Sequence, residues 1–264
     1  MEKISPFDIP RARAFTEIRQ NFIGEFLQGV HQQVVLRTAL DVGCGVGYFS
    51  RFLADLGLQV QGVDGRSENV LEAARRSPDI RFLTADAENL PLQELNTVDL
   101  VLCVGLLYHL ENPFRAIRSL HQLTAKVLLI ETMCASGSRP NMELIDESHD
   151  ENQALNYVAF YPSEPCLIKM LYRAGFPYVY GFETLPDDPL FHASFWRRKA
   201  RTMLVASKEQ LTAPGLRLAP DVRGSWEILS TSRERLKTRL DRLLGPFRKP
   251  LRRASPGSQD GGKG

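Results

Sequence analysis

The sequence has no apolar run near the roughly 18 residues that a membrane-crossing helix needs. Residues 1–10 lack the apolar centre of a secretory signal, so a cytoplasmic protein is expected. Cysteine is scarce. Cys44, Cys103, Cys134 and Cys166 are scattered, with neither a C-x-x-C pair nor zinc spacing, which argues against a disulfide scaffold or a structural zinc site. They read as reduced thiols, with Cys44 and Cys103 as small buried hydrophobes. His149, Asp150 and Glu151 form a metal-like triplet on paper, but no further ligand is suggested and no metal is expected. There is no internal repeat. Charge of one sign is also missing overall, the formal net charge being +2. That balance hides an asymmetry. Residues 217–253 hold eleven Lys or Arg against four Asp or Glu, so a mildly acidic body carries a basic tail. Such a distribution argues against a nucleic-acid-binding body.

What the chain does have is alternation. Phe15, Ile18, Phe22, Phe26 and Val30 recur at helical spacing and predict an amphipathic helix over about 12–33. Short apolar runs follow at 39–42, 60–63, 80–83, 98–104 and 127–130, as expected of strands buried on both faces of a parallel sheet. Helical patterns lie between them at 48–56, 68–76 and 114–123. This alternation predicts a doubly wound, Rossmann-like α/β fold. Residues 134–161 read as an inserted loop. A helix over 163–174 follows, capped by Ser163 and ended by Gly175, then two closing strands at 178–182 and 202–206. Those two make a seven-stranded, mostly parallel sheet with flanking helices. A second loop spans 185–198. The expected organisation is a helical extension over 1–37, an α/β domain over 38–208, and a basic helical tail over 209–264 with a disordered end.

The sharpest motif is Ala39-Leu40-Asp41-Val42-Gly43-Cys44-Gly45-Val46-Gly47-Tyr48-Phe49. A buried strand enters a glycine turn and a helix leaves it, at the edge where α/β sheets bind ligands. Asp41 suits a cationic amine better than a pyrophosphate. A dinucleotide turn would want glycine at position 48, which is Tyr48. Asp64 ends the next strand and suits two ribose hydroxyls. Asp86 ends the third and suits an exocyclic amine, hence adenine.

This set resembles the motifs of class I S-adenosylmethionine-dependent methyltransferases, with residues 39–49 as motif I. Asp64, Asp86 and Val98-Asp99-Leu100-Val101-Leu102-Cys103-Val104-Gly105 resemble the next three motifs. The resemblance covers about 35–208. It implies that Asp41, Gly43 and Gly45, with Cys44 between them, hold the methionine part of S-adenosyl-L-methionine. It assigns Asp64 with Gly65 to the ribose, Asp86 with Ala87 to the adenine, and Val104 to the neighbourhood of the sulfonium.

A narrower resemblance joins Gly105-Leu106-Leu107-Tyr108-His109-Leu110 with Asn156-Tyr157-Val158-Ala159-Phe160-Tyr161-Pro162-Ser163. Both are similar to segments of the tRNA wobble-uridine carboxymethyltransferase group, which uses carboxylated S-adenosylmethionine. That group has an Arg where this chain has Leu155, and more than 37 residues before the domain. The chain is therefore read as a relative that transfers a plain methyl group to a small-molecule acceptor, with tRNA carboxymethylation as the alternative.

Tyr108 and His109 stand just past the fourth strand, and neutral imidazole can accept a proton near pH 7. Glu131, ending the fifth strand, is a second candidate base or orienter. Tyr157, Tyr161, His192, Phe195 and Trp196 lie in the two loops, where aromatic lining would suit a small organic acceptor. In the tail, Trp226, Leu229, Leu236, Leu240 and Leu243 form one stripe. It either packs on protein or lies on an anionic membrane surface as a peripheral contact.

Overall fold

The computed structural model describes residues 5–147, 157–193 and 200–221. Leu155 and Asn156, the triplet 149–151, Phe195, Trp196 and the tail stripe lie outside those residues.

Helix α1 (Pro10–His31) comes first, with proline in its first turn. The chain then alternates β1 (Thr38–Val42), α2 (Tyr48–Asp55), β2 (Gln59–Asp64), α3 (Ser67–Arg76), β3 (Arg81–Thr84), β4 (Val98–Val104), α4 (Pro113–Leu123) and β5 (Thr124–Met133). Residues 134–162 carry β6 (Met142–Asp146) and β7 (Val158–Pro162). Then come α5 (Glu164–Ala174), β8 (Tyr178–Phe182), β9 (Arg201–Ser207) and β10 (Leu216–Leu218).

Eight strands form one sheet in the order β10-β8-β9-β5-β4-β1-β2-β3. β1 to β5 run parallel, while β9 is antiparallel to both β5 and β8. The seven expected strands are all present. The eighth, β10, pairs antiparallel with β8, so part of the stretch expected as a basic helical tail is a strand that extends the sheet edge.

Period-two alternation explains why the strand sequences are apolar throughout. Leu100, Leu102, Val127 and Leu129 face one layer, with Ile23, Phe26, Leu27 and Val30 of α1 and Phe49 and Leu53 of α2. Val101, Cys103, Leu128 and Ile130 face the other, with Ile117 and Leu120 of α4 and Leu167 and Leu171 of α5. Each fully buried Leu or Ile contributes about 1.5–3 kcal/mol, so neither layer is optional.

Two local expectations change. The inserted segment is not a plain loop, because β6 and β7 pair as an antiparallel hairpin. Its strand Met142-Glu143-Leu144-Ile145-Asp146 is mostly exposed and acidic, which hides the strand pattern. Glu131 does not end β5 but lies two residues inside it, where β9 pairs alongside. Ser163 caps α5 as expected, its Oγ accepting from the Cys166 N–H at 3.3 Å.

Candidate active site

The parallel strands put their carboxyl ends on one edge, and β1 is flanked by β2 on one side and β4 on the other. Strand order reverses there, which leaves a crevice between the outgoing loops. A cavity of about 640 Å³ fills it, within the range of small-molecule sites.

The glycine turn forms its floor. Gly43 sits at φ +79° and Gly45 at φ +53°. A Cβ on Gly43 would lie 2.7 Å from Leu106 Cβ, and one on Gly45 3.1 Å from the Phe7 ring. Any larger residue would therefore be strained and would push into the groove. The N–H groups of Gly43 and Cys44 donate to the Val63 carbonyl at 2.8 and 3.0 Å. Gly45 N–H donates to Asp64 at 2.9 Å. The other Asp64 oxygen accepts from Arg66 N–H at 2.9 Å and from Asn69 at 3.0 Å. Asp64 thus ties the turns after β1 and β2 together. Asp86 accepts from Glu88 N–H and the Asn89 amide.

Gly43, Cys44, Gly45, Asp64, Gly65, Asp86, Ala87, Val104, Tyr108 and His109 all line this cavity. Asp41 and Glu131 do not. Asp41 is 2% exposed and accepts from Ser50 Oγ at 2.6 Å. Burial pushes its carboxyl up to about 7; the Ser50 bond opposes that, and the Asp64 charge adds to it.

Glu131 is fully buried between two guanidiniums, Arg19 at 3.1 Å and Arg201 at 2.7 Å. Burial alone would raise its pKa. The two cations overcome that and hold it below the usual carboxylate range. Arg201 also donates to Tyr108 Oη at 3.1 Å. Arg19, Arg201 and Tyr108 reach the cavity wall, so two cations share one carboxylate beneath it.

Helix α1 and the segment before it close the cavity from above. Phe7, Phe15 and Arg19 line it. Asp8 pins this segment, pairing with Arg76 at 2.6 Å and accepting from Tyr48 Oη. The Arg76 hydrogen bond holds Asp8 at about 2. Tyr48, which stands where a dinucleotide turn would have glycine, is thus part of the latch on this segment.

His109 lies in a 3-10 turn after β4. Its Nδ1 is 2.8 Å from a Glu147 carboxylate oxygen. Burial lowers the imidazole pKa below its ordinary value, Glu147 opposes that, and Arg201 and Arg66 push it further down. Tyr157, Tyr161 and His192 are not on the wall. Tyr161 packs edge-on behind Tyr108, with centroids 5.7 Å apart, and His192 Nε2 lies 2.9 Å from the Pro186 carbonyl.

Arg19, Arg201 and Glu147 were not singled out by sequence reasoning. Arg19 left a signal, a charged residue inside the apolar stripe of α1. Arg201 opens a wholly buried strand. Glu147 left none, being one acid among many in its segment. Among the described residues no group of three or more His, Cys, Asp or Glu could hold a metal ion. No helix there is long and apolar enough to cross a membrane.

Residues 40–127 match the family model described as a methyltransferase domain. The chain is 32% identical over 180 residues to a tRNA U34 carboxymethyltransferase of Shewanella loihica, covering 65% of this chain and 53% of that one. It is 30% identical over 182 residues to the protein of that name from Pseudoalteromonas atlantica, covering 66% and 55%. The chain therefore spans about half the length of the curated relatives it matches. Among solved structures, the N-terminal domain of EvdMO1 with SAH bound superposes at TM-score 0.56, with 20% identity over 73% of this chain and 80% of that one. An S-adenosylmethionine dependent methyltransferase from Mesorhizobium loti superposes at 0.52, with 22% identity over 71% and 97%. These two likenesses concern the fold.

Proposed function

We propose that this chain, whose residues 40–127 match the methyltransferase-domain family model, binds S-adenosyl-L-methionine in the switch-point cavity and transfers its methyl group to a small-molecule acceptor. One observation carries the reading. A glycine turn too tight for a Cβ and the strand-end carboxylates Asp64 and Asp86 open onto one cavity. The bare turn admits a ligand to the backbone, and the carboxylates suit ribose hydroxyls and an adenine amine.

When bound, the donor supplies a methyl group on an electrophilic sulfonium. This chain's residues then contribute position and exclusion of water, which is the main catalytic requirement for an already reactive donor. Gly43, Cys44 and Gly45 form the floor. Asp64 with Gly65, and Asp86 with Ala87, hold the nucleoside, while Val104 borders the reacting region. Asp41 acts from beneath the turn. Tyr108 and His109 face the acceptor side, and Glu131 orients Arg19 and Arg201 rather than taking a proton. The four cysteines form no disulfide among the described residues, which suits a reducing compartment, the cytoplasm.

The test is calorimetry with S-adenosylmethionine and S-adenosylhomocysteine. Wild type is expected to bind at micromolar levels. Asp64→Ala should weaken binding by about 1–3 kcal/mol through lost charge-assisted bonds. No binding to wild type, or tight binding of NAD instead, would refute the reading. Extracts incubated with isotopically labelled donor then identify the acceptor by mass.

One observation favours a second reading, carboxymethyl transfer to tRNA. Arg19 and Arg201 share a single carboxylate at the cavity wall, and the surplus positive charge could receive a donor carboxylate. Competition between the ordinary and the carboxylated donor separates the two. The main reading expects the ordinary donor to win.

A further inference from the structure

We propose that Glu147 is a positioning residue that fixes His109 as the proton acceptor of the reaction, and that the acceptor is accordingly a hydroxyl or N–H nucleophile that must lose its proton. This rests on the methyl-transfer reading and deepens it at the same site.

The hairpin delivers Glu147. It follows β6 directly, and its N–H donates to the Tyr157 carbonyl at 2.9 Å, which closes the β6–β7 pair beyond its last register. The Glu147 side chain is 4% exposed and that of His109 12%, so their 2.8 Å contact is made away from bulk water. Tyr108 lies against the imidazole with ring centroids 3.9 Å apart, and Tyr161 braces Tyr108 from behind. The ring is held on its flank and at one nitrogen.

Which nitrogen is bare follows from that contact. A carboxylate accepts and cannot donate, so a neutral imidazole against Glu147 carries its proton on Nδ1. Nε2 then keeps its lone pair. Among the described residues no hydrogen bond is made to Nε2, and His109 lines the cavity. The charged groups facing the ring are Glu147 from the hairpin, Arg201 from β9 and Arg66 from the turn after β2. The two cations and burial favour the neutral ring, and Glu147 selects its tautomer.

The proton balance closes on this pair. As the acceptor's electron pair bonds to the methyl carbon, the carbon–sulfur bond breaks with its electrons on sulfur. The acceptor's proton passes to Nε2, and the resulting imidazolium pairs with Glu147. A thiolate or a free amine lone pair would need no such arrangement; an alcohol, phenol or amide would. The bland alternative is that Glu147 merely tethers the hairpin to the domain.

Nitrogen-15 NMR of histidine-labelled full-length protein with S-adenosylhomocysteine distinguishes them. The chain has five histidines, and His109→Gln assigns the signal. Wild-type His109 is expected to be neutral at pH 7.5 with the proton on Nδ1. Glu147→Gln should lower its titration midpoint and mix the tautomers, and Glu147→Asp should restore the Nδ1–H form in part. In the labelled-donor assay His109→Gln should lose about 100-fold in rate at pH 7. A wild-type ring protonated on Nε2, or still cationic at pH 8, overturns the proposal, and so does a Glu147→Gln spectrum identical to wild type. Should Glu147→Gln fail to fold, the wild-type tautomer alone decides. If calorimetry shows no S-adenosylhomocysteine binding, the donor reading fails, while the same spectra of the free protein still decide the dyad.

Discussion

Asp41 keeps a carboxyl group where almost no solvent reaches, with Ser50 as its hydrogen-bond partner. A folded-state value of about 7 lies far above the ordinary 3.8. The sign of the consequence follows directly. The unfolded chain ionises near pH 4 while the folded chain keeps the proton, so this contribution to stability is whole below pH 4 and is lost as pH rises towards 7. Replacing Asp41 with Asn removes the titration and leaves an acceptor for Ser50. Asp41→Asn is expected to be more stable than wild type at pH 8, by up to about 4 kcal/mol, with the gap closing near pH 4. Urea unfolding at both values checks this; an equal gap at both would show that Asp41 is ionised in the fold. A cation bound beside the glycine turn would reverse the preference, so ligand binding should release a proton and make the binding heat depend on the buffer.

At the scale of elements, the parallel half of the sheet was legible because buried strands read as continuous apolar runs and their helices as amphipathic repeats. The glycine turn and the strand-end aspartates were legible because they adjoin those strands. What stayed hidden was brought in by tertiary contact. No local pattern says that Arg19 on the first helix meets Glu131, or that an exposed acidic strand pairs with β7 and carries Glu147 to His109. The three-residue strand β10 was hidden among Pro214, Gly215 and Pro220, although Ala219 N–H donates to Val179 and the Tyr172 hydroxyl to the Ala219 carbonyl. These bonds set where the chain can be cut. A chain ending at residue 221 should bind the donor within a few-fold of full length, since every described wall residue lies between Pro6 and Arg201. One ending at 208 also loses β10 and the buried Leu211 and Ala213, and its melting temperature should fall by several degrees. Equal melting temperatures for the two truncations would mean that β10 adds nothing to the sheet.

For the whole molecule, Glu131 connects helix α1, the sheet centre and the penultimate strand of the main sheet. Its carboxylate is stable in the core only because both arginines arrive. Glu131→Gln would leave Arg19 and Arg201 buried without their anion and should cost about 3–5 kcal/mol, read by urea unfolding at pH 7. A loss below about 1 kcal/mol would show that water, not Glu131, neutralises them. The partners are 112 and 70 residues away along the chain, on opposite sides of the glutamate. During synthesis the first arginine is available as soon as β5 emerges, but the second is made 70 residues later. Until then the nascent sheet holds a half-satisfied charge at its centre. The centre of the sheet is therefore neutralised only when β9 inserts, and a ribosome-bound chain arrested before residue 201 should remain open to protease at β5, however complete its glycine turn.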